Sequence, residues 1–242
     1  MSFPVFLSAL LALLLTPISA SGETWLASSE TDFPPYNFPA GGKHVGIDTE
    51  IVQRVIDGMG EQVLFVQLPW KRVVQSVEQN EVDLGFQFVG TKERFEKFNM
   101  VGPFREGITT FMLPRDSVIE FSSLKELKGY LIGTVRGYAY EEEFDRADYL
   151  KKEEATDNET NVRKLAAGRL HMIVGDRDTL AFLAKRLGLS DRFRFADTPL
   201  AVVPRYIAFP KARSDQAAAF AQKLEEIKAS GDIQSIIEKY TR

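Results

Sequence analysis

The chain has 242 residues, 44% hydrophobic and 26% charged, an ordinary globular composition that excludes a disordered or collagen-like polymer. A formal net charge of -4, with no stripe of Lys and Arg interleaved with aromatics, leaves no footprint for nucleic acid. Without cysteine there is no disulfide framework, thiolate nucleophile, Cys-based zinc site or acceptor for a lipoprotein anchor, so the fold must rest on its core.

Phe3 to Ile18 is almost wholly apolar and uncharged, and Ser19-Ala20-Ser21-Gly22 supplies small residues for a signal peptidase. Residues 1–22 therefore read as a secretory signal peptide directing the chain to the periplasm. The run is short for a bilayer span, which needs about 20 apolar residues. No Lys or Arg precedes it, so an uncleaved anchor is the alternative.

Thr24–Ser28 reads as a first strand, and Asp32-Phe33-Pro34-Pro35-Tyr36 as a rigid loop, because paired prolines block helix and ladder. Ile47, Ile51, Val55 and Met59 share a helical face, with Asp48 as a plausible cap and Gly58 and Gly60 at the end. Val63–Gln67 alternates as a strand, Trp70–Gln79 is helical, and Val82–Phe88 is a buried strand. This β-α-β-α-β order implies a mostly parallel sheet covered by helices.

The order then begins again. Leu131–Val135 is a strand, Tyr138–Arg146 and Asn161–Ala167 are helices, Leu170–Val174 is a strand, Thr179–Leu187 a helix and Phe193–Ala196 a short strand. Each half stops a helix at a residue that tolerates a left-handed turn, Asn80 or Gly168, just before a buried strand. The extended runs Ile108–Leu113 and Val202–Phe209 flank the second half and suit a two-strand hinge. Helices over Ser214–Ser230 and Asp232–Tyr240 return to the first half. The expected architecture is α/β: two Rossmann-like lobes, with lobe one formed by 23–112 and 205–242 and lobe two by 113–204.

No G-x-S-x-G, H-E-x-x-H, P-loop or G-x-G-x-x-G motif occurs, and the two histidines lie in different settings. His44 sits in a polar turn, and His171 reads as a hydrogen-bonded sheet residue. No catalytic residue, metal or cofactor is expected. The groups that remain suit a small polar solute and cluster at strand-to-helix connections, where open parallel sheets gather ligands. After Phe88-Val89-Gly90, Thr91 can cap a helix whose first amides attract an anion, and Arg94 one turn on can clamp a carboxylate. The plainer alternative leaves Thr91 as a cap and Arg94 as a surface ion-pair partner. In the second half Arg136-Gly137-Tyr138 again follows a strand, and Asp176 either accepts from an ammonium or caps a helix. Tyr36 and Trp70 each follow a proline, where an aromatic can stack on a ligand; Trp70 can equally cover the lobe core.

The order of Phe33-Pro34-Pro35-Tyr36, Val45-Gly46-Ile47-Asp48, Val82-Asp83-Leu84 before Thr91-Lys92-Glu93-Arg94, Val101-Gly102-Pro103-Phe104, Leu124 to Gly129, Gly168-Arg169-Leu170 before Asp176, and Gly231-Asp232-Ile233 with Tyr240 resembles the family 3 periplasmic solute-binding proteins of ABC transporters. The resemblance implies the type II periplasmic binding protein fold. It also implies that Arg94 takes a ligand α-carboxylate, that Asp176 takes its α-ammonium, and that Tyr36 and Trp70 sandwich its side chain. Two positions depart from the family pattern: Val89 replaces a small hydroxyl residue, and the Gly-[Ser/Thr]-[Ser/Thr] carboxylate loop reads Gly137-Tyr138-Ala139. Fewer hydroxyl donors satisfy a carboxylate less well, so Gln87, Arg136 and Tyr138 are expected to recognise something else. If Arg94 and Arg136 face one cleft, the solute is larger or doubly anionic.

The expected function is capture of a small polar, carboxylate-bearing, amino-acid-like solute by a monomer that delivers it to an ABC transporter permease. A periplasmic enzyme of the same fold, cyclohexadienyl dehydratase-like, with Glu30, Asp32 or Asp176 as its acid, and a sensory binding protein for a separate receptor are the alternatives.

Overall fold

The computed structural model describes residues 22–241, so the expected signal peptide lies outside the described residues except for Gly22. The main sheet has strand order β4-β1-β5-β11-β6-β9-β7-β8, with β10 also on β6. Its strands are β1 (Thr24–Glu30), β4 (Gln62–Leu68), β5 (Leu84–Val89), β6 (Phe98–Pro114), β7 (Leu131–Val135), β8 (Lys151–Ala155), β9 (Met172–Asp176), β10 (Phe193–Phe195) and β11 (Ala201–Pro210). A small hairpin pairs β2 (Phe38–Ala40) with β3 (Lys43–Val45).

The ladder is continuous because β6 and β11 belong to both halves of the molecule. Parallel strands β4, β1 and β5 reach it through Arg205–Ala208 of β11, while β9 joins at Thr109–Met112 of β6 and β10 beyond it. Between these attachments only the two antiparallel strands run, Arg105–Thr109 against Ala201–Arg205. Each half is thus a lobe with its own sheet, and the shared pair is the two-strand connection.

Both faces of each lobe are covered. In lobe one, α1 (Ile47–Gly58), α7 (Ser214–Ser230) and α8 (Asp232–Thr241) close one core, with Ile51, Val55, Phe220 and Leu224 against Leu84 and Phe86. Helix α2 (Trp70–Glu78) closes the other, with Val73 and Val77 against Phe88 and Phe98. In lobe two, α4 (Glu142–Arg146) packs Phe144 with Phe111, Leu113 and Val174. On the opposite face α5 (Asn158–Ala166) and α6 (Arg177–Arg186) set Val162, Leu165 and Leu183 against Met112 and Ile173. Phe111 and Met112 point to opposite cores, as the period of two requires of a strand buried on both faces.

Several details differ from the sequence expectation. Asp48 does not cap α1; Gly46 stands at the cap, and Asp48 is buried in the first turn. Helix α4 begins at Glu142 rather than Tyr138, because Tyr140 turns inward and its hydroxyl accepts from Val135 N at 2.7 Å. Strand β6 is far longer than Ile108–Leu113, and β8 (Lys-Lys-Glu-Glu-Ala) is an edge strand whose charges hide it from a pattern search. Asn80 and Gly168 do take left-handed turns, at φ 57° and 68°. His171 lies exposed just before β9 rather than in a strand, and its Nδ1 accepts from Leu131 N of β7 at 2.9 Å.

Candidate functional site

Lobe one contributes a floor of polar groups at the C-terminal ends of its parallel strands. Ser28, Ser29 and Glu30 close β1 and are all buried. Next door, β5 carries a bulge at Gln87, a non-glycine residue at φ 78° that slips the pairing with β11. Beyond the bulge the strand's phase flips, so Phe86 faces one core and Phe88 the other. The Gln87 side chain is re-aimed at Asn37 and at Asp48 Oδ2, 3.3 Å away. Holding such a residue left-handed costs about 1–3 kcal/mol, strain of the kind that collects at functional sites. Beside it Arg105 makes a two-pronged ion pair with the wholly buried Asp48 (Nη2 to Oδ2, 2.7 Å), and its guanidinium lies 3.4 Å from the Tyr36 ring centre.

From the same lobe comes α3 (Lys92–Lys97). Thr91 caps it by accepting from Arg94 N at 3.2 Å, and the turn swings the Arg94 side chain inward. That guanidinium lies 5.6 Å from the Trp70 ring centre and 5.3 Å from that of Phe88. It donates to the carbonyls of Val89 at 3.1 Å and Gly137 at 3.2 Å. Burial, then the like charge of Arg205, lower it to about 10, so it remains a cation at neutral pH.

Lobe two answers with helix starts and one turn. Asp176 ends β9 and caps α6, its Oδ1 accepting from the amides of Asp178 and Thr179 at 3.2 Å each. Its other oxygen is 3.5 Å from Arg205 Nη2. Burial raises Asp176, with Arg205 and then Arg105 opposing. Gly107 makes this meeting possible: a Cβ there would lie 2.6 Å from Asp176 Oδ2. Tyr138 follows β7 and is half-buried, its hydroxyl lying between Asn158 Nδ2, which donates at 3.1 Å, and Glu30, to which it donates. Burial pushes Glu30 up to about 8; the Tyr138 bond opposes this, while Asp157 and Asp32 reinforce it.

The lobes are in contact across the cleft. Trp70 Nε1 donates to Gly137 O at 2.9 Å, and the Tyr36 hydroxyl donates to Asp178 Oδ2 at 3.0 Å. Arg186 of lobe two holds Asp32 of lobe one and its own Glu159, and Phe38 meets Phe182 at 5.4 Å between ring centres. What remains inside is a cavity of about 20 Å³ lined by Glu30, Gln87, Arg94, Tyr138 and Arg205 among others. Outside it lies a groove of about 810 Å³ that shares Val89, Arg94, Tyr138 and Ala139 with the cavity wall.

Arg94, Gln87, Trp70 and Tyr138 therefore line one cavity, Asp176 stands beside it at 3.5 Å from the lining Arg205, and Tyr36 lies outside the lining with its ring against Arg105. Thr91 lies in the groove wall. Arg136 is a correction. It points away from the cavity and pairs with Glu154 at 3.2 Å on the surface, both side chains more than half exposed. The strand's alternation puts Val135 inside and Arg136 outside, which removes the argument for a doubly anionic solute based on this residue. The second guanidinium lining the cavity is instead that of Arg205, which lies within the extended run Val202–Phe209. A signal for it existed: Val203, Arg205, Ile207 and Phe209 alternate onto the buried face of β11, where a charge needs a reason.

Several polar atoms around the cavity are buried with no hydrogen-bond partner among the described residues: Glu30 Oε1, Gln87 Oε1, Asp176 Oδ2 and Arg205 Nε. Buried polar groups are normally satisfied, so these atoms set the cavity apart from the rest of the interior. No group of three His, Asp or Glu side chains among the described residues could hold a metal ion.

Two α/β lobes joined by a strand pair, with a polar cleft between them, define a protein of the periplasmic binding protein type. Residues 27–242 match the model of the bacterial extracellular solute-binding proteins, family 3, and the chain belongs to that family. It is 22% identical over 215 residues to the "Probable histidine-binding protein" of Campylobacter jejuni, covering 86% of this chain and 81% of that one. It is 28% identical over 176 residues to the "Probable ABC transporter extracellular-binding protein YckB" of Bacillus subtilis, covering 69% of this chain and 61% of that one. Among solved structures, an ancestral arginine-binding protein bound to arginine superposes with a TM-score of 0.82 at 22% identity, covering 90% of this chain and 98% of its own.

Proposed function

We propose that the protein captures a small, carboxylate-bearing, amino-acid-like solute between its lobes outside the cytoplasmic membrane and delivers it to an ABC transporter, without chemical turnover. The observation that carries this reading is the Arg94 guanidinium, buried at the cleft and bonded only to backbone carbonyls, next to Arg205, whose Nε has no hydrogen-bond partner, and Asp176, whose Oδ2 has only the Arg205 ion pair at 3.5 Å. A zwitterion presents a carboxylate to the guanidinium groups and an ammonium to the carboxylate, each a charge-assisted bond made in a dry site. Trp70 and Phe33 supply aromatic walls for the remainder. The exchange of strand partners along β6 and β11 supports hinge closure, because only two strands need bend there. In Asp176 the capping bonds engage one oxygen, which suits a fixed acceptor better than a mobile acid.

The names of the relatives lend weight to an amino acid as ligand, and histidine and arginine are the first to try. Thermal unfolding with a panel of L-amino acids and dicarboxylates tests the reading. A stabilising α-amino acid whose effect is lost in Arg94→Met is the expected result. Stabilisation confined to amines without a carboxylate would overturn it.

A further inference from the structure

Tyr138 stands where the two lobes meet, and its surroundings are unusual for a loop residue. It belongs to lobe two, yet its ring packs on Phe33 and Trp70 of lobe one at 6.4 and 5.8 Å between ring centres. Its hydroxyl donates to the lobe-one carboxyl of Glu30 and accepts from Asn158 of its own lobe. The preceding carbonyl, Gly137 O, accepts from both Trp70 Nε1 and Arg94 Nη2, so it sits on Arg94 as a carboxylate oxygen would. One dipeptide of lobe two thereby occupies the cation, the indole and the carboxyl that lobe one offers to the cleft. The space left beside it, about 20 Å³, holds about one water molecule and no amino acid. On its other side lies the groove of about 810 Å³, which gives the ring somewhere to go.

We propose that Gly137-Tyr138 is a built-in occupant of the cleft: it holds the lobes together without a solute, and a solute enters only by displacing the Tyr138 ring. This rests on the solute-binding reading of the cleft, and it makes Tyr138 a determinant of affinity and selectivity. A solute competes with an internal group already bonded to the same partners, so its apparent affinity falls by the fraction of molecules in which the plug is in place. The raised titration of Glu30 fits the arrangement, since a neutral carboxyl tolerates burial under the tyrosine ring.

The test needs no solute in its first arm. The chain has no cysteine, so Lys43→Cys and Lys185→Cys place two spin labels on exposed positions of opposite lobes. Pulsed electron resonance is then recorded on protein unfolded, dialysed and refolded to strip any bound solute. A single short-distance population is expected, and Tyr138→Ala, which removes ring and hydroxyl, is expected to lower the ratio of short to long distances about tenfold, so that a long-distance population appears. Tyr138→Phe keeps the ring packing and is expected to lie between the two. Cooperative thermal unfolding of each variant verifies that both lobes are folded. A long distance in the stripped parent, or an unchanged short population in Tyr138→Ala, overturns the proposal. In the second arm L-arginine and L-histidine are titrated calorimetrically, and Tyr138→Ala is expected to bind the better of them about tenfold more tightly than the parent. Equal or weaker binding by the variant overturns displacement. Failure of every amino acid to bind either protein sinks the solute-binding reading while the first arm still decides whether Tyr138 holds the lobes.

Discussion

Replacing Arg105 by Met strands a charge in the core of lobe one, and the cost follows from the geometry. Asp48 is wholly buried and Arg105 nearly so, and they share a two-pronged ion pair. Removing the guanidinium leaves the carboxylate with the Gln87 amide at 3.3 Å as its remaining partner. Breaking a buried pair in this way costs about 3–5 kcal/mol, and losing the cation on the Tyr36 ring adds about 0.5–2 kcal/mol. A loss of about 4 kcal/mol is expected, which at about 2 kcal/mol per molar urea lowers the midpoint by about 2 M. Trp25 and Trp70 are both buried in lobe one, so their fluorescence reports the lobe that holds the pair. The double variant Asp48→Leu with Arg105→Met removes both charges and is expected to recover most of the loss, because a buried pair is worth little against well-packed apolar groups. A single variant that loses under about 1 kcal/mol, or a double variant as unstable as the single, would refute the argument from desolvation.

Arg94→Met is expected to do the opposite, leaving urea stability within about 1 kcal/mol while lowering affinity for a carboxylate solute about 100-fold, because Arg94 bonds carbonyls rather than a buried acid; calorimetry beside denaturation separates the two effects. Burial pushes Glu30 up to about 8 in the folded chain from its ordinary 4.5, so the folded form retains a proton that the unfolded form has lost between those values. Its contribution to stability is full below pH 4.5 and is lost as pH rises through 8, at up to about 1.4 kcal/mol per unit, and Glu30→Gln is expected to flatten that fall in urea midpoints taken from pH 5 to 9. Gly107→Ala would set a methyl 2.6 Å from Asp176 Oδ2 and is expected to cost about 1–3 kcal/mol, read in the unfolding midpoint, and to weaken solute binding in calorimetry. Arg186→Ala opens a half-exposed contact to Asp32 and is expected to cost about 1 kcal/mol or less at low salt and nothing measurable at high salt.

The amphipathic helices and the apolar strands were readable in the sequence because their periods match their surfaces. Trp70–Gln79, Ser214–Ser230 and Asp232–Tyr240 differ from the observed helices by at most a residue at an end. Thr91 was readable as a cap for the same local reason, since capping involves atoms only three residues apart. Strand β6 was underestimated because Gly102, Pro103, Glu106 and Gly107 interrupt its apolar pattern, and what keeps the strand extended there is pairing with β11. Helix α4 was overestimated because Tyr138 and Tyr140 leave the helix path for partners elsewhere in the fold.

The sequence by itself determined the two α/β lobes, the strand pair between them and the turns on which cleft residues must lie, all consequences of local period and turn chemistry. Which side chains face inward was decided by tertiary structure alone. Arg94 and Arg136 look alike in sequence, yet one is buried at the cleft and the other pairs with Glu154 on the surface. The bonds that join Tyr138 to Glu30, Trp70 to Gly137 and Arg205 to Asp176 link residues far apart along the chain. Burial and dielectric are properties of the packed whole, so the same guanidinium is a surface ion-pair partner or a buried cation at the cleft according to what closes over it.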